Sequence, residues 1–291
     1  MSSEHQILAV LCPNPFRDTA LTQTLRAQQM LQAHGAKTAV CPIYDDDASA
    51  VLPKGIPYQT LQSVANRADL LVCFGGDGTI LHAARAAVGS AAPILGVNMG
   101  TKGFLAELEP SELHRLTDVL EGRYAISSRA MLDVSLTRDG KTVLTDCALN
   151  DAVVRGLERC IRLDVCSDGQ NITSYTGDGI VIATATGSTA YSLSAGGPIV
   201  EPEADNILLT PICAHILGVQ SYVLQPERVV TVRLEEMAGR TAFLSVDGGE
   251  SIMLSSGDVI TARISQNRTH LVSLGLKSFY EIAYEKLSRQ S

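Results

Sequence analysis

The five residues Gly75-Gly76-Asp77-Gly78-Thr79 follow directly on an apolar run, Asp69-Leu70-Leu71-Val72-Cys73-Phe74, and lead directly into a helical stretch, Ile80 to Val88. A strand, a glycine loop and a helix start in that order form an anion site. Glycines let the backbone turn sharply and approach a ligand, and the helix start offers unpaired N–H groups at the positive end of its dipole. Thr79 stands where it can cap that helix or hydrogen-bond a phosphate. Asp77 does not belong in a plain phosphate cradle, because a carboxylate repels phosphate unless a metal ion intervenes or the carboxylate takes a proton. Phosphoryl transfer needs both services, a divalent cation to neutralise charge and a base to orient the hydroxyl nucleophile. The simpler account of the same residues is a tight turn after a strand, with Asp at a common turn position.

A second stretch starts at Asp178-Gly179, continues as an apolar strand to Ala183, and then runs from Thr184 to Pro198 through small and hydroxyl-bearing residues. Such a run lets a bulky ligand lie against backbone and supplies many short donors. Tyr191 is its only aromatic ring and suits packing on a base. Between Gly179 and Val200 there is no charged residue, which separates this stretch from an ordinary polar loop.

The elements that must position these residues fall into two halves. Up to about residue 125 the chain alternates strands and helices. Ile7 to Leu11 and Thr38 to Cys41 read as strands, Thr19 to Ala33 as a helix, Leu61 to Asn66 as another, Asp69 to Phe74 and Ile94 to Val97 as further strands. That alternation predicts a mostly parallel sheet flanked by helices. From about residue 126 the apolar period becomes two. Leu132, Val134 and Leu136 alternate with polar residues, as do Ile161, Leu163 and Val165, then Val230, Val232 and Leu234, then Ala242, Leu244 and Val246. Turns fall at Asp139-Gly140, Ser167-Asp168-Gly169, Ala238-Gly239, Asp247-Gly248-Gly249 and Ser256-Gly257-Asp258. This half reads as a layered β domain. Phe279, Ile282, Ala283, Lys286 and Leu287 recur at helical spacing, so a last helix is predicted near the C-terminus, docking on the first half. The expected division is 1–125 with 266–291 as one domain and 126–265 as the other.

Composition narrows the partners. With 291 residues, 45% hydrophobic and 19% charged, the chain suits a globular enzyme. A net charge of -8 and few aromatics (4%, without Trp) argue against nucleic acid and against an anionic membrane. Cys12, Cys41, Cys73, Cys147, Cys160, Cys166 and Cys213 are odd in number, scattered and without a CxxC pair, so they read as buried reduced thiols. No signal-like segment opens the chain, and no uncharged apolar run approaches the ~20 residues that span a bilayer. The expected location is the cytoplasm.

Together the two chemical stretches resemble the NAD kinase family, and the resemblance covers nearly the whole chain. Gly75 to Thr79 matches its GGDGT loop. Gly96-Val97-Asn98-Met99-Gly100 with Gly103-Phe104-Leu105 matches the glycine-rich segment after it, Asn150-Asp151 stands at its Asn-acidic pair, and Asp178-Gly179 with Thr184 to Pro198 matches its long second signature. The resemblance implies a Rossmann-like N-terminal domain and a C-terminal β-sandwich, the last helix returning to the N-terminal domain. It implies transfer of a phosphoryl group from ATP, with a divalent cation (magnesium), to the 2′-hydroxyl of the adenosine ribose of NAD, giving NADP. Asp77 would be the catalytic base, and Gly75, Gly76, Gly78 and Thr79 the phosphate loop. Asp77, Gly78, His82, Asn150, Asp151, Arg159, Asp178, Thr189, Ala190, Tyr191, Ser192, Leu193 and Ser194 would contact the dinucleotide. A homodimer or homotetramer is implied, the site borrowing from a neighbouring subunit. The chain departs from the family pattern at Asp151, where Glu is commoner, at Thr176 in place of a basic residue, at Ala214 in place of Pro, and at Gly249 in place of Gln. Two other readings share parts of the motif: a lipid kinase of the diacylglycerol or sphingosine type, and a dinucleotide sensor without catalysis. Neither accounts as well for the acidic, anchor-free composition and for Asp77 together.

Overall fold

A strand apolar on both sides has to lie inside a sheet covered on both faces. Leu8–Pro13 (β1) and Leu70–Gly75 (β3) are such strands, buried almost throughout. In the computed structural model, which describes residues 6–44, 49–100, 103–215, 218–235 and 239–288, the chain divides into two compact units. One comprises Met1–Ser128 with Thr269–Ser291, the other Arg129–Arg268. The turn read at Ala238-Gly239 lies partly outside the described residues.

The first unit runs β1, Thr22–Ala33 (α1), Lys37–Val40 (β2), Leu61–Val64 (α2), β3, Asp77–Ala86 (α3), Ile94–Asn98 (β4) and Leu116–Leu120 (α4). Its parallel strands lie in the order β2-β1-β3-β4, with Ala9 beside Leu70 and Leu71 beside Ile94. The chain moves one way from β1 to β2 and the other way from β3 to β4. The crevice beyond the carboxyl ends of β1 and β3 is therefore the topological switch point, where open α/β sheets bind ligands. The helix predicted from Thr19 begins only at Thr22. Ala20 and Leu21 take left-handed backbone angles (φ 54° and 53°), and the buried Asp18 carboxylate accepts the N–H groups of Gln23 and Thr24.

After Ala125–Arg138 (β5) the chain is strand-rich: Lys141–Ala148 (β6), Asp151–Gly156 (β7), Ile161–Ser167 (β8), Gln170–Gly177 (β9) and Gly179–Ala183 (β10). The short helix Tyr191–Ser194 (α5) follows. Then come Ile207–Ile212 (β11), Tyr222–Leu224 (β12), Val230–Leu234 (β13), Ala242–Val246 (β14), Ile252–Leu254 (β15) and Val259–Ser273 (β16). One antiparallel sheet has the order β12-β11-β10-β7-β14-β15. The facing layer pairs β9 with β8, β8 with β13, and β13 with the start of β16. Their inner side chains, among them Val154, Ile180, Ile182 and Leu244 from one layer and Leu163, Val165 and Val232 from the other, form one core. This is a sandwich. β10 is apolar on both sides because its outer face is covered too: Val181 and Ala183 pack with Val153, Leu208 and Ile212, against Ala195 and Val200.

The chain ends in Phe279–Leu287 (α6), which belongs to the first unit. Ser278 and Glu281 cap its start reciprocally, and Lys286 lies 4.1 Å over the ring of Phe104. Among the described residues no helix is long and apolar enough to cross a membrane.

Candidate functional site

The Gly75–Thr79 loop sits at the switch point. α3 starts at Asp77, three residues before the Ile80 start read from the sequence, so Thr79 is inside its first turn rather than at its cap. Thr79 is buried; its N–H goes to the Gly76 carbonyl, and its hydroxyl accepts a hydrogen bond from the Asn14 amide at 3.3 Å. Asn14 follows β1, so this bond ties together the ends of the two strands that flank the crevice.

The Asp77 carboxylate is held in place by backbone. Phe104 N–H donates to it at 2.8 Å and Leu105 N–H at 3.1 Å. Gly103 makes this possible, because a Cβ at that position would collide with the carboxylate itself. A carboxylate offers about four lone-pair directions, so two N–H bonds leave it able to accept more.

Around the loop lies a cleft of ≈ 670 Å³, lined by Asn14, Phe16, Arg17, Tyr44, Gly76, Gly78, Thr79 and His82. His82, one turn along α3, meets Tyr44 ring to ring at 5.1 Å, and the Tyr44 hydroxyl donates to the Gly78 carbonyl at 3.2 Å. The structure thus brings Gly76, Gly78, Thr79 and His82 together and adds Asn14, Arg17 and Tyr44. Asn14 was open to discovery, since it ends a strand within Pro13-Asn14-Pro15. Arg17 and Tyr44 carry no comparable signal.

In the second unit Asn150 and Asp151 enter β7, where their backbone is fastened by a residue the sequence shows only as part of a turn. Asp247 takes the N–H of Leu149 at 2.7 Å, of Asn150 at 2.8 Å and of Asp151 at 3.0 Å. Asp247 has φ 48° and Gly248 φ 67°, a tight turn that aims the Asp247 side chain back at β7. Thr184 adds a clasp from the other side: its hydroxyl donates to the Leu149 carbonyl at 2.6 Å and its N–H to the Asn150 carbonyl at 2.9 Å. Gly187 rests on Asn150 so closely that a Cβ there would strike the Asn150 carbonyl.

Asp151 itself is buried, and among the described residues no donor meets its carboxylate. Burial, with the Asp247 charge adding to it, pushes its pKa up to about 7. Of the run after Thr184, Ser192 is buried with its hydroxyl 2.8 Å from that of Thr210, while Tyr191 and Ser194 are exposed and Thr189, Ala190 and Leu193 half-buried. Since Ala195 and Val200 cover the outer face of β10, packing explains part of the missing charge in this stretch. Arg159 is exposed, and Asp178 is half-buried beside Cys160.

The family described as ATP-NAD kinase N-terminal domain matches residues 10–124, and that described as ATP-NAD kinase C-terminal domain matches residues 150–274. The NAD kinase of Acetivibrio thermocellus is 36% identical over 280 residues, which cover 95% of this chain and 96% of that protein. The NAD kinase of Symbiobacterium thermophilum is 40% identical over 223 residues, 76% of this chain and 78% of that one. Among solved structures, yeast NADH kinase complexed with NADH aligns with a TM-score of 0.84 at 27% identity, over 99% of this chain and 89% of that chain. An NAD kinase from Archaeoglobus fulgidus in complex with ATP shares the fold, with a TM-score of 0.74 at 24% identity over 97% and 99% of the two chains.

Proposed function

The chain belongs to the NAD kinase family, and from that premise we propose how its residues move a phosphoryl group from ATP to NAD. The observation that carries the proposal is the position of Asp77: a carboxylate anchored by two backbone N–H groups, at the first turn of a helix and between Gly76 and Gly78, which line the cleft. There it takes the proton of the 2′-hydroxyl of the adenosine ribose as that oxygen bonds to the γ-phosphorus. The bond from the γ-phosphorus to the bridging oxygen breaks, and its electron pair leaves on ADP. Gly76 and Gly78 let the phosphates approach backbone and the start of α3, Gly75 leaves room for the Thr79 side chain, and Thr79 acts through Asn14 to keep the crevice in shape. Gly78 and His82 line the cleft beside the transferred group.

On the acceptor side, Asn150 and Asp151 bind ribose hydroxyls, with Asp178, Arg159, Thr189, Ala190, Tyr191 and Leu193 to Ser194 as the further contacts that the family resemblance assigns. Ser192 contributes by bracing α5 against Thr210. Its family role as a direct contact would require the buried hydroxyl to be uncovered.

The cleft lining offers amide, hydroxyl, imidazole and guanidinium groups and no carboxylate. That donor set fits a magnesium ion that arrives on the triphosphate, since Mg²⁺ keeps most of its waters and binds through substrate phosphates. When bound, the ion neutralises charge on the γ-phosphate. The scattered, unpaired spacing of the seven cysteines suits a reducing cytoplasmic setting. Exposed Tyr222 and Val223 on the edge strand β12 support self-association as a dimer or tetramer.

The names of the relatives favour this reading over a lipid kinase or a non-catalytic sensor. Purified protein given NAD, ATP and magnesium should form NADP. No NADP, alongside phosphorylation of a lipid headgroup, would overturn it.

A further inference from the structure

We propose that Cys160, Asp178 and His215 form a binding site for a thiophilic divalent cation of the zinc class, separate from the magnesium that accompanies ATP. The Cys160 Sγ lies 3.4 Å from Asp178 Oδ1 and 3.3 Å from His215 Nε2, and the three ligand atoms all fall within 4.8 Å of one another. A tetrahedral zinc ion, with bonds of about 2.3 Å to sulfur and about 2.0–2.1 Å to nitrogen and oxygen, sets sulfur-to-neighbour edges of roughly 3.5 Å. The two sulfur distances already match those edges, and the third edge, between carboxylate and imidazole, lies within 4.8 Å, so at most a small side-chain adjustment receives the ion.

Backbone bonds keep Asp178 and His215 in place. Asp178 is pinned on both sides of its Cα, its N–H donating to the Ile212 carbonyl at 3.0 Å and its carbonyl accepting from Gly156 N–H at 2.8 Å. His215 N–H donates to the Thr176 carbonyl at 2.9 Å. The segment carrying His215 can lie this close because residue 177 is glycine: a Cβ there would stand 3.0 Å from the Ala214 Cα and the Ile212 carbonyl. A preformed site with second contacts of this kind distinguishes a ligand set from a chance cluster.

The chemistry selects the metal. One thiolate, one imidazole and one carboxylate suit zinc and disfavour magnesium, which demands oxygen ligands. Binding replaces the thiol proton, so an S–H bond breaks, a metal–sulfur bond forms and the proton leaves to solvent. Thiolate and carboxylate together balance a dication. Three protein ligands and an exposed His215 leave a fourth position for water, as in open zinc sites. Neither the odd cysteine count nor the spacing pointed here, because the ligands lie 18 and 55 residues from Cys160 in the chain.

A consequence rests on the proposed function: since Asp178 is there a dinucleotide contact, a cation held on Asp178 competes with NAD. The test titrates cobalt(II) into the full-length, metal-free protein kept in a non-thiol reductant, followed by displacement with zinc. The proposal expects a thiolate-to-cobalt charge-transfer band that zinc abolishes. Cys160→Ser and, independently, His215→Ala should each remove the band or weaken binding at least tenfold, while circular dichroism reports an unchanged fold. Absence of the band in the parent protein, or equal cobalt affinity in both variants, would overturn the site. Zinc should raise the apparent KM for NAD in the parent and not in Cys160→Ser, whose magnesium-ATP activity stays intact. A cobalt band without that KM effect supports the site and removes Asp178 from the dinucleotide contacts instead.

Discussion

The Gly75–Thr79 loop and the Asn150-Asp151 pair hold a carboxylate in opposite ways. In the Gly75–Thr79 loop the carboxylate assigned to chemistry, Asp77, is also the one tied to backbone, through Phe104 and Leu105. At Asn150-Asp151 the labour is divided. Asp247 gathers the N–H groups of Leu149, Asn150 and Asp151, and Asp151 keeps a carboxylate that no described donor meets, with a pKa of about 7. A base must stay in one place through turnover, so anchoring it directly costs nothing in function. A group that binds a ligand must exchange partners, so its backbone is held and its side chain left open.

The largest effect should come from the anchored carboxylate. Asp77→Asn removes the base and, since Phe104 and Leu105 donate to different carboxylate oxygens, keeps one of the two backbone bonds; turnover should fall ~10²–10⁴-fold with NAD binding retained, read as NADP formed against equilibrium binding. Full rate in this variant would show that Asp77 is only a tether. Gly187→Ala pushes a methyl into the Asn150 carbonyl, and overpacking against backbone should cost about 3 kcal/mol in a denaturant titration and raise KM for NAD. An unchanged midpoint would mean the two segments are not in contact as described. Asp247→Ala deprives three N–H groups of their acceptor and should cost about 2 kcal/mol. If stability holds but KM rises, Asp247 serves the ligand and not the backbone, and the contrast between the two stretches fails.

The smallest effect concerns pH. Asp151 titrates near pH 7 in the folded protein and near 4 when unfolded, so its contribution to stability is full below about pH 4 and is lost as pH rises through about 7. Asp151→Asn removes that loss. The variant should gain about 2–4 °C of Tm on the parent between pH 4 and pH 8, a change of about 1 kcal/mol discounted for partial solvent access. A gap that stays constant with pH would show that Asp151 is already ionised in the folded state.

Much of this was readable along the chain because it is local. The apolar run before Gly75 becomes β3, buried along its whole length, and the period-two alternation of Val230, Val232 and Leu234 puts those three residues in the sandwich core. The start of α1 was misplaced because the cap, Asp18, works across two left-handed residues that no periodicity shows. The short helix Leu116–Leu120 carries too few turns for a stripe. Asp247 looked like a turn residue, which it is, and nothing in Asp247-Gly248-Gly249 tells that its side chain folds back on residues almost a hundred positions earlier. Tertiary bonds of that span leave no local trace.

Gly103 bears on how variants of this chain should be interpreted. Its place in a loop, with no ligand group of its own, would let any substitution there pass as harmless. Yet the smallest side chain at Gly103 occupies the volume of the Asp77 carboxylate, so a Gly103 allele ought to behave genetically like an Asp77 allele. A screen for inactive mutants would then recover both positions, and a second-site suppressor of one would have to move the other.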